Sequence, residues 1–160
     1  RRRQLCISVR SKEGMGFFVL QKYCDCLTDK APVCCPEGWK LVFAGSRYCT
    51  SPESGYAPIE GEAAAIVYGL ERSRMFVAGN SNLIISTDHE PLLGILGDRN
   101  LSEVTNPRLL KLKQKTRRYR YKIQHNPGKW HRASDAVSRN PVETIAAIFE
   151  VIKADHQNWK

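Results

Sequence analysis

The first third of the chain alternates between short apolar runs and polar turns. Apolar residues occupy every second position over 5–9, and a second apolar run covers 17–20 after the turn SKEGMG. A polar stretch over 23–38 carries four cysteines and two prolines, and apolar residues resume over 39–44. A period of two, interrupted by turn residues, predicts three consecutive strands in an antiparallel meander.

The middle of the chain changes to helical spacing. Pro58 suits the first turn of a helix, and apolar residues recur from Ile59 to Leu70 at intervals of three and four. The run NLIISTD over 82–88 is almost continuously apolar and ends in a carboxylate, which predicts a buried strand. Pro91 then opens a further short helix.

The last part of the chain predicts a helix, a strand and another helix. Asn106 suits the N-cap of a helix, and the proline after it suits the first turn. The helical spacing then leads into an alternating strand over 119–124. A last helix is expected from His131. The element order indicates an α/β domain over 1–140, and we interpret 141–160 as a tail, helical in its apolar part, toward a downstream domain.

Size and charge narrow the class of protein. A chain of 160 residues with 42% hydrophobic content suits one domain with one core. The formal charge of +9 favours polyanions, either nucleic acid or an anionic membrane surface. The sequence has neither the roughly 20 apolar residues of a membrane span nor a signal peptide, so we expect an intracellular protein, cytoplasmic or nuclear and not secreted. Because it does not begin with Met, we expect a piece of a longer chain.

The cysteines are clustered. All six lie in the first third, and five fall between Cys24 and Cys49. A zinc knuckle is one interpretation, but the spacing lacks the C-x₂-C pair and the nearby histidines that are typical of zinc sites. A reduced loop with incidental thiols is therefore the favoured interpretation.

Three acidic residues stand in or beside apolar stretches and are candidates for chemistry. Glu62 borders the apolar face of its helix, Asp88 ends the buried strand, and Asp135 opens the last helix. Ordinary explanations exist for each, namely a helix-edge charge, an N-cap and a partner of the helix dipole. If the three converge beyond the carboxyl ends of strands, they form an oxygen-rich site suited to Mg²⁺ or Mn²⁺.

One segment carries most of the positive charge. Eight of the fifteen residues over 108–122 are Lys or Arg and none is acidic, so we expect a phosphate backbone to neutralise them. The candidates for nucleic-acid contact are Arg108, Lys111, Lys115, Arg117, Arg118, Lys129 and His131. Tyr119 and Tyr121 are interpreted as core-facing, with base stacking as the alternative.

Three ordered motifs, YAPIEGEAAAIVYGL, LIISTDHEPLLGIL and HNPGKWHRASDAVSR, resemble the ribonuclease H domain of gypsy-type LTR retroelement polyproteins. The segments SKEGMGFFVLQK and GWKLVFAGSR resemble the preceding part of that domain, so the resemblance covers residues 4–140. It implies an RNase H fold with a five-stranded mixed sheet flanked by helices. It also implies hydrolysis of the RNA strand of RNA–DNA hybrids, with a reverse transcriptase domain upstream and an integrase downstream.

The resemblance also implies a metal site with one ligand missing. The family holds two Mg²⁺ ions, for which Mn²⁺ can substitute, on four carboxylates. Glu62, Asp88 and Asp135 match three of them. The family pattern D-A-S-x-x-G-x-G aligns with VRSKEGMG, which places Val9 at the first aspartate and Arg10 at the alanine. Since valine cannot bind a metal, we expect a weakened site.

Other residues near the implied site receive smaller roles. Glu60 is expected to be an exposed companion of Glu62, and Glu13 lies too far along the hairpin to replace the missing aspartate. His131 is a candidate for substrate contact or loop capping, and His89 for packing at a strand end. Two functions stay open: an RNase H that cleaves hybrids, and a catalytically impaired or inactive domain that retains nucleic-acid binding.

Overall fold

Five strands form the centre of the molecule, of which the computed structural model describes residues 3–27, 35 and 38–126. The strands are β1 (Gln4–Arg10), β2 (Gly14–Lys22), β3 (Trp39–Tyr48), β4 (Leu83–Thr87) and β5 (Tyr121–His125). They lie in one sheet in the order β3-β2-β1-β4-β5. The first three pair antiparallel, whereas β4 runs parallel to both β1 and β5. The carboxyl ends of β1, β4 and β5 therefore meet at one edge.

The helices are α1 (Ser51–Ser54), α2 (Pro58–Arg72), α3 (Arg74–Val77) and α4 (Pro107–Thr116). A wide-turn, π-type segment at Leu93–Asp98 and a 3₁₀ turn at Leu101–Glu103 lie between β4 and α4. The long helix α2 packs on β1 and β2, and α4 packs against α2. Among the described residues, no helix has the length and apolar character needed to cross a bilayer.

The core lies between α2 and the sheet. Ala63, Ile66 and Leu70 of α2 are fully buried against apolar side chains of the strands. Those strand residues, each at most 1% exposed, are Phe17, Val19, Leu83 and Ile85. Spacing of three and four along α2 and of two along the strands produces these faces, so the core follows directly from the sequence pattern. This packing fixes the position of α2 across β1.

The α/β class and the antiparallel meander predicted from the sequence are confirmed. Helix α2 has Pro58 in its first turn, and α4 begins at Asn106, whose side chain accepts hydrogen bonds from the backbone nitrogens of Arg108 and Leu109. Two details differ from the prediction. The sequence analysis did not predict α1, because four residues are too few to show a period, and Tyr119 precedes β5 rather than opening it. The predicted last helix and tail lie outside the described residues.

Candidate functional site

Two strand ends bring the first candidate positions together. In the parallel pair of β1 and β4, Ile7 lies opposite Ser86, and each earlier pair keeps the same offset. Position 9 lies two residues further along β1, and Asp88 directly follows the last residue of β4, so both lie at the same end of the sheet. Val9 pairs with Gly16 of β2. The backbone at position 9, where the family pattern predicts an aspartate, is therefore fixed within the sheet.

Helix α2 adds the second carboxylate. The backbone nitrogen of Arg10 donates a hydrogen bond to Oε1 of Glu62 over 3.3 Å. Glu62 is half-buried, whereas Asp88 is exposed. The carboxylate of Glu62 consequently lies at the amide that directly follows position 9, on the same edge as Asp88. The structure brings together positions 9, 62 and 88; Asp135 lies outside the described residues.

The donor chemistry of this edge suits a hard divalent cation only in part. Glu62 and Asp88 supply carboxylate oxygens, which are the ligands that Mg²⁺ and Mn²⁺ prefer. Valine supplies no donor atom, and Glu13 is exposed in the hairpin turn between β1 and β2. Three of the four positions in the family pattern, 9, 62 and 88, lie within the described residues, and two of these three carry a carboxylate.

A histidine that the sequence analysis did not single out also lies at this edge. Nε2 of His125, at the end of β5, lies 3.2 Å from the backbone oxygen of Asp88. Its neighbour Asn126 makes two hydrogen bonds to β4. Nδ2 of Asn126 donates to Oγ of Ser86 over 2.8 Å, and its backbone nitrogen donates to the backbone oxygen of Thr87 over 2.9 Å. His125 is exposed and can reach a ligand in solution. The sequence held part of the signal, because the predicted alternating strand over 119–124 ends next to His125.

The side chain of Arg10 has a structural anchor. Its guanidinium donates to the backbone oxygens of Glu53 over 2.6 Å and Ser54 over 3.1 Å, at the end of α1, and to that of Tyr56 over 3.4 Å. The side chain passes over Gly61, where a Cβ would overlap Cδ of Arg10 and lie 2.5 Å from its Nε. Arginine at position 10 therefore requires glycine at position 61.

This requirement predicts that the effect of Gly61→Ala on the free energy of unfolding changes sign when Arg10 is also replaced. Gly61→Ala is expected to lower the free energy of unfolding by about 1–2 kcal/mol, because displacing Arg10 breaks its bonds to the carbonyl oxygens. In an Arg10→Ala background the same change should raise it by up to about 1 kcal/mol, since alanine favours the helix over glycine. Urea unfolding of the four chains measures the coupling. An equal effect of Gly61→Ala in both backgrounds would contradict the anchor.

Glu60 is not the exposed companion that the sequence analysis expected. Its side chain is buried and accepts hydrogen bonds from Nδ2 of Asn106 over 2.9 Å and from the backbone nitrogen of Ala57 over 3.1 Å. An ion pair of 2.7 Å joins it to Arg108. The hydrogen bond from Asn106, followed by the one from Arg108, lowers the pKa of Glu60. Glu60 thus ties the start of α2 to the start of α4.

The basic segment divides into cations that serve the fold and cations that face solvent. Lys113 is 5% exposed, and its Nζ donates to the backbone oxygens of Ile95 over 2.7 Å, Gly97 over 3.1 Å and Arg99. Arg108 is paired with Glu60 and lies over the ring of Tyr56. The remaining six cations of the segment are exposed: Lys111, Lys115, Arg117, Arg118, Arg120 and Lys122.

The exposed cations lie on two surfaces. Lys111, Lys115 and Arg118 follow one another at helical spacing, and Lys115 also lies 3.4 Å from the exposed Glu71. Arg117, Arg120 and Lys122 line a concave surface beside the segment Leu93–Asp98. Of these, the sequence analysis did not name Arg120 or Lys122 as contacts. Lys129 and His131 lie outside the described residues.

The two tyrosines of the segment serve the core. Tyr119 is 9% exposed. The hydroxyl of Tyr121 donates to the backbone oxygen of Leu96 over 2.7 Å and lies 2.9 Å from Oγ1 of Thr116, and burial raises the pKa of this phenol. The core-facing interpretation is confirmed, and neither ring is available to stack on a base.

Comparison with known proteins gives consistent results. A model of the RNase H-like domain found in reverse transcriptase matches residues 4–119. The chain is 35% identical over 96 residues to the retrovirus-related Pol polyprotein from transposon opus of Drosophila melanogaster, and 34% identical over 100 residues to that from transposon gypsy. These matches cover 60% and 62% of the chain but 9% of each polyprotein.

Solved structures with the same fold share little sequence. RNase H1 from the halophilic archaeon Halobacterium salinarum superposes with a TM-score of 0.58 at 16% identity, covering 88% of this chain and 96% of the other. LC11-RNase H1 in complex with an RNA/DNA hybrid gives a TM-score of 0.58 at 13% identity, covering 88% and 97%. At such identities the likeness concerns the fold alone.

Proposed function

Because the chain belongs to the family of RNase H-like domains found in reverse transcriptase, we propose that it binds RNA–DNA hybrids and cleaves their RNA strand slowly. The gypsy-type assignment made from the sequence motifs is confirmed by the polyprotein relatives. The observation that carries the proposal is the meeting of positions 9, 62 and 88 at one sheet edge. The sheet order supports assigning the complete five-stranded RNase H sheet to this chain.

The proposed metal ligands are Glu62, Asp88 and Asp135. Bound divalent ions, Mg²⁺ in this proposal, would polarise the scissile phosphate and activate the attacking water. The hydrogen bond from the amide of Arg10 to Glu62 and the position of Asp88 directly after β4 support this assignment. His125 is exposed beside Asp88, where its ring can contact the phosphate backbone. Val9 occupies the position of the fourth carboxylate in the family pattern and supplies no ligand atom. We therefore propose slow cleavage.

The proposed binding surface uses the exposed cations of 111–122 together with Lys129 and His131. An RNA–DNA hybrid matches this surface because a double helix presents two phosphate strands to it. Arg108 contributes less, since Glu60 already compensates its charge. In the proposed setting, the domain follows a reverse transcriptase domain and precedes an integrase in one polyprotein.

A second candidate function is hybrid binding without cleavage. Val9 is the observation that favours it, because the cations and the fold persist while a ligand is lost. In this second candidate function, the chain binds the hybrid and leaves its RNA strand intact. The two candidates make the same prediction for affinity and opposite predictions for RNA fragments.

The experiment measures both quantities on one hybrid of labelled RNA. We expect the affinity to fall steeply with salt, and Lys111→Gln, Lys115→Gln and Arg118→Gln together should flatten the slope of log K against log [salt] by about 2–3. We also expect slow release of RNA fragments in Mg²⁺ or Mn²⁺, which Asp88→Asn should stop.

The controls separate the parts of the proposal. Lys40→Gln removes an exposed cation from β3, at the opposite edge of the sheet, and should leave the salt slope unchanged. Fragment release equal to that of the Asp88→Asn variant would leave binding as the function. An affinity independent of salt would remove the basic segment from the interface.

A further inference from the structure

Three thiols meet in the loop that joins β2 to β3. Cys24 and Cys26 directly follow β2, and Cys35 precedes β3. Their sulfur atoms all lie within 4.8 Å of one another, although Cys35 comes nine positions after Cys26 and eleven after Cys24 in sequence. None of the three cysteines forms a disulfide. Neither end of the loop by itself carries such a cluster.

Hydrogen bonds at the base of the loop hold its two ends together. The backbone nitrogen of Tyr23 donates to the oxygen of Gly38 over 2.6 Å, and the nitrogen of Gly38 donates to the oxygen of Cys35 over 3.3 Å. Nζ of Lys22 donates to the backbone oxygen of Cys26. These bonds place Cys35 across from the two cysteines that follow β2. The approach of the thiols is therefore built into the strand connection.

The donor set determines which ligand fits. Three sulfur atoms form a soft site, which selects thiophilic cations such as Zn²⁺ and excludes Mg²⁺ and Ca²⁺. Tetrahedral zinc with bonds of ~2.3 Å holds its sulfur ligands about 3.8 Å apart, so the observed cluster needs only a small contraction. We propose that Cys24, Cys26 and Cys35 bind one Zn²⁺ ion that ties the end of β2 to the start of β3. A fourth ligand position is left for water or another donor.

The sequence spacing and the structure lead to different interpretations of the cysteines. The spacing in sequence favoured incidental thiols, because a zinc knuckle draws its ligands from a short C-x₂-C segment. The structure draws them from both ends of a loop instead.

The position of the cluster indicates a structural role. Strand β2 runs antiparallel to β1, and the nitrogen of Lys22 donates to the oxygen of Arg3 at the start of β1. The thiols therefore lie at the end of the sheet opposite to positions 9, 62 and 88. A cation here would stabilise the connection between β2 and β3 without taking part in hybrid cleavage. The test of this site is therefore independent of the proposed function.

Titration of the full, reduced chain with Co²⁺ and then Zn²⁺ tests the site. One equivalent of Co²⁺ should produce the intense thiolate-to-cobalt absorption of a tetrahedral sulfur site, and one equivalent of Zn²⁺ should abolish it. Cys24→Ser, Cys26→Ser and Cys35→Ser should each lower the Zn²⁺ affinity on the order of 100-fold or more. Cys49→Ser, which removes a free thiol outside the cluster, should leave the affinity unchanged.

Alkylation of the unmutated chain provides a readout that does not depend on how the variants fold. Zn²⁺ should protect Cys24, Cys26 and Cys35 from iodoacetamide, as detected by mass spectrometry, and should leave the rate at Cys49 unchanged. The absence of a thiolate–cobalt band at one equivalent would overturn the proposal. Equal protection of Cys49, or an affinity that survives all three serine substitutions, would also overturn it.

Discussion

Val9→Asp is expected to raise the rate of hybrid cleavage in Mg²⁺ by at least about 100-fold, or about 3 kcal/mol of transition-state stabilisation. The backbone at position 9 is already paired with Gly16 of β2, so the new carboxylate would stand at the end of the sheet that carries Asp88 and next to the amide that binds Glu62. The strand therefore needs no rearrangement to receive it. Initial rates of RNA fragment release under single-turnover conditions measure the gain.

Val9→Asn is the matched control, because asparagine has the shape of aspartate without its charge. It should gain far less than Val9→Asp. In the Val9→Asp background, Glu62→Gln should remove the gain, since both groups are proposed to hold the same ions. Hybrid affinity and thermal stability should be measured in parallel. If Val9→Asp folds, binds the hybrid as tightly as the parent and cleaves no faster, the assignment of position 9 is wrong.

The second large effect is expected on stability. Lys113→Met should lower the free energy of unfolding by about 3 kcal/mol, because methionine fills a similar volume but leaves the carbonyl oxygens of Ile95, Gly97 and Arg99 without their charged donor. Because Lys113 is 5% exposed, water cannot readily reach these carbonyl oxygens and replace its hydrogen bonds. Urea unfolding followed by circular dichroism measures the loss.

Lys111→Met tests whether the effect belongs to this buried position or to any lysine of α4. Lys111 is exposed on the same helix, and its replacement should change the stability by less than about 0.5 kcal/mol. Hybrid affinity should show the opposite order, with Lys111→Met weakening binding and Lys113→Met leaving the salt slope unchanged. Equal losses of stability in the two variants would contradict the structural role of Lys113.

These two lysines show why the candidate interface could be predicted only in outline. In sequence, Lys111 and Lys113 are equivalent members of one run of cations. The difference arises from the segment Leu93–Asp98 and the residue after it, whose carbonyl oxygens turn toward α4 and collect around one amine. Carbonyl oxygens at the end of a helical segment have no donor within that segment and need one from elsewhere, and no local pattern reveals which lysine supplies it.

Glu60 and Glu62 give the same lesson for the candidate metal site. Both belong to one turn of α2, and family resemblance distinguished them as companion and ligand. The structure buries Glu60 against Asn106 and Arg108, which lie more than 40 residues later. An ion pair between two helices depends on how those helices pack, so the sequence of either one could not predict it.

The amino-acid pattern predicted the strands, the two longer helices and the family. Apolar periods of two and of three to four define the meander and the apolar face of α2, because local backbone geometry translates these periods into buried faces. The motifs predicted Glu62 and Asp88 as ligands and an absent carboxylate at position 9. Only the packing of the chain shows which charged groups stabilise the fold and which cysteines lie close together across a loop. Both depend on contacts between residues distant in sequence, and only packing brings those residues together.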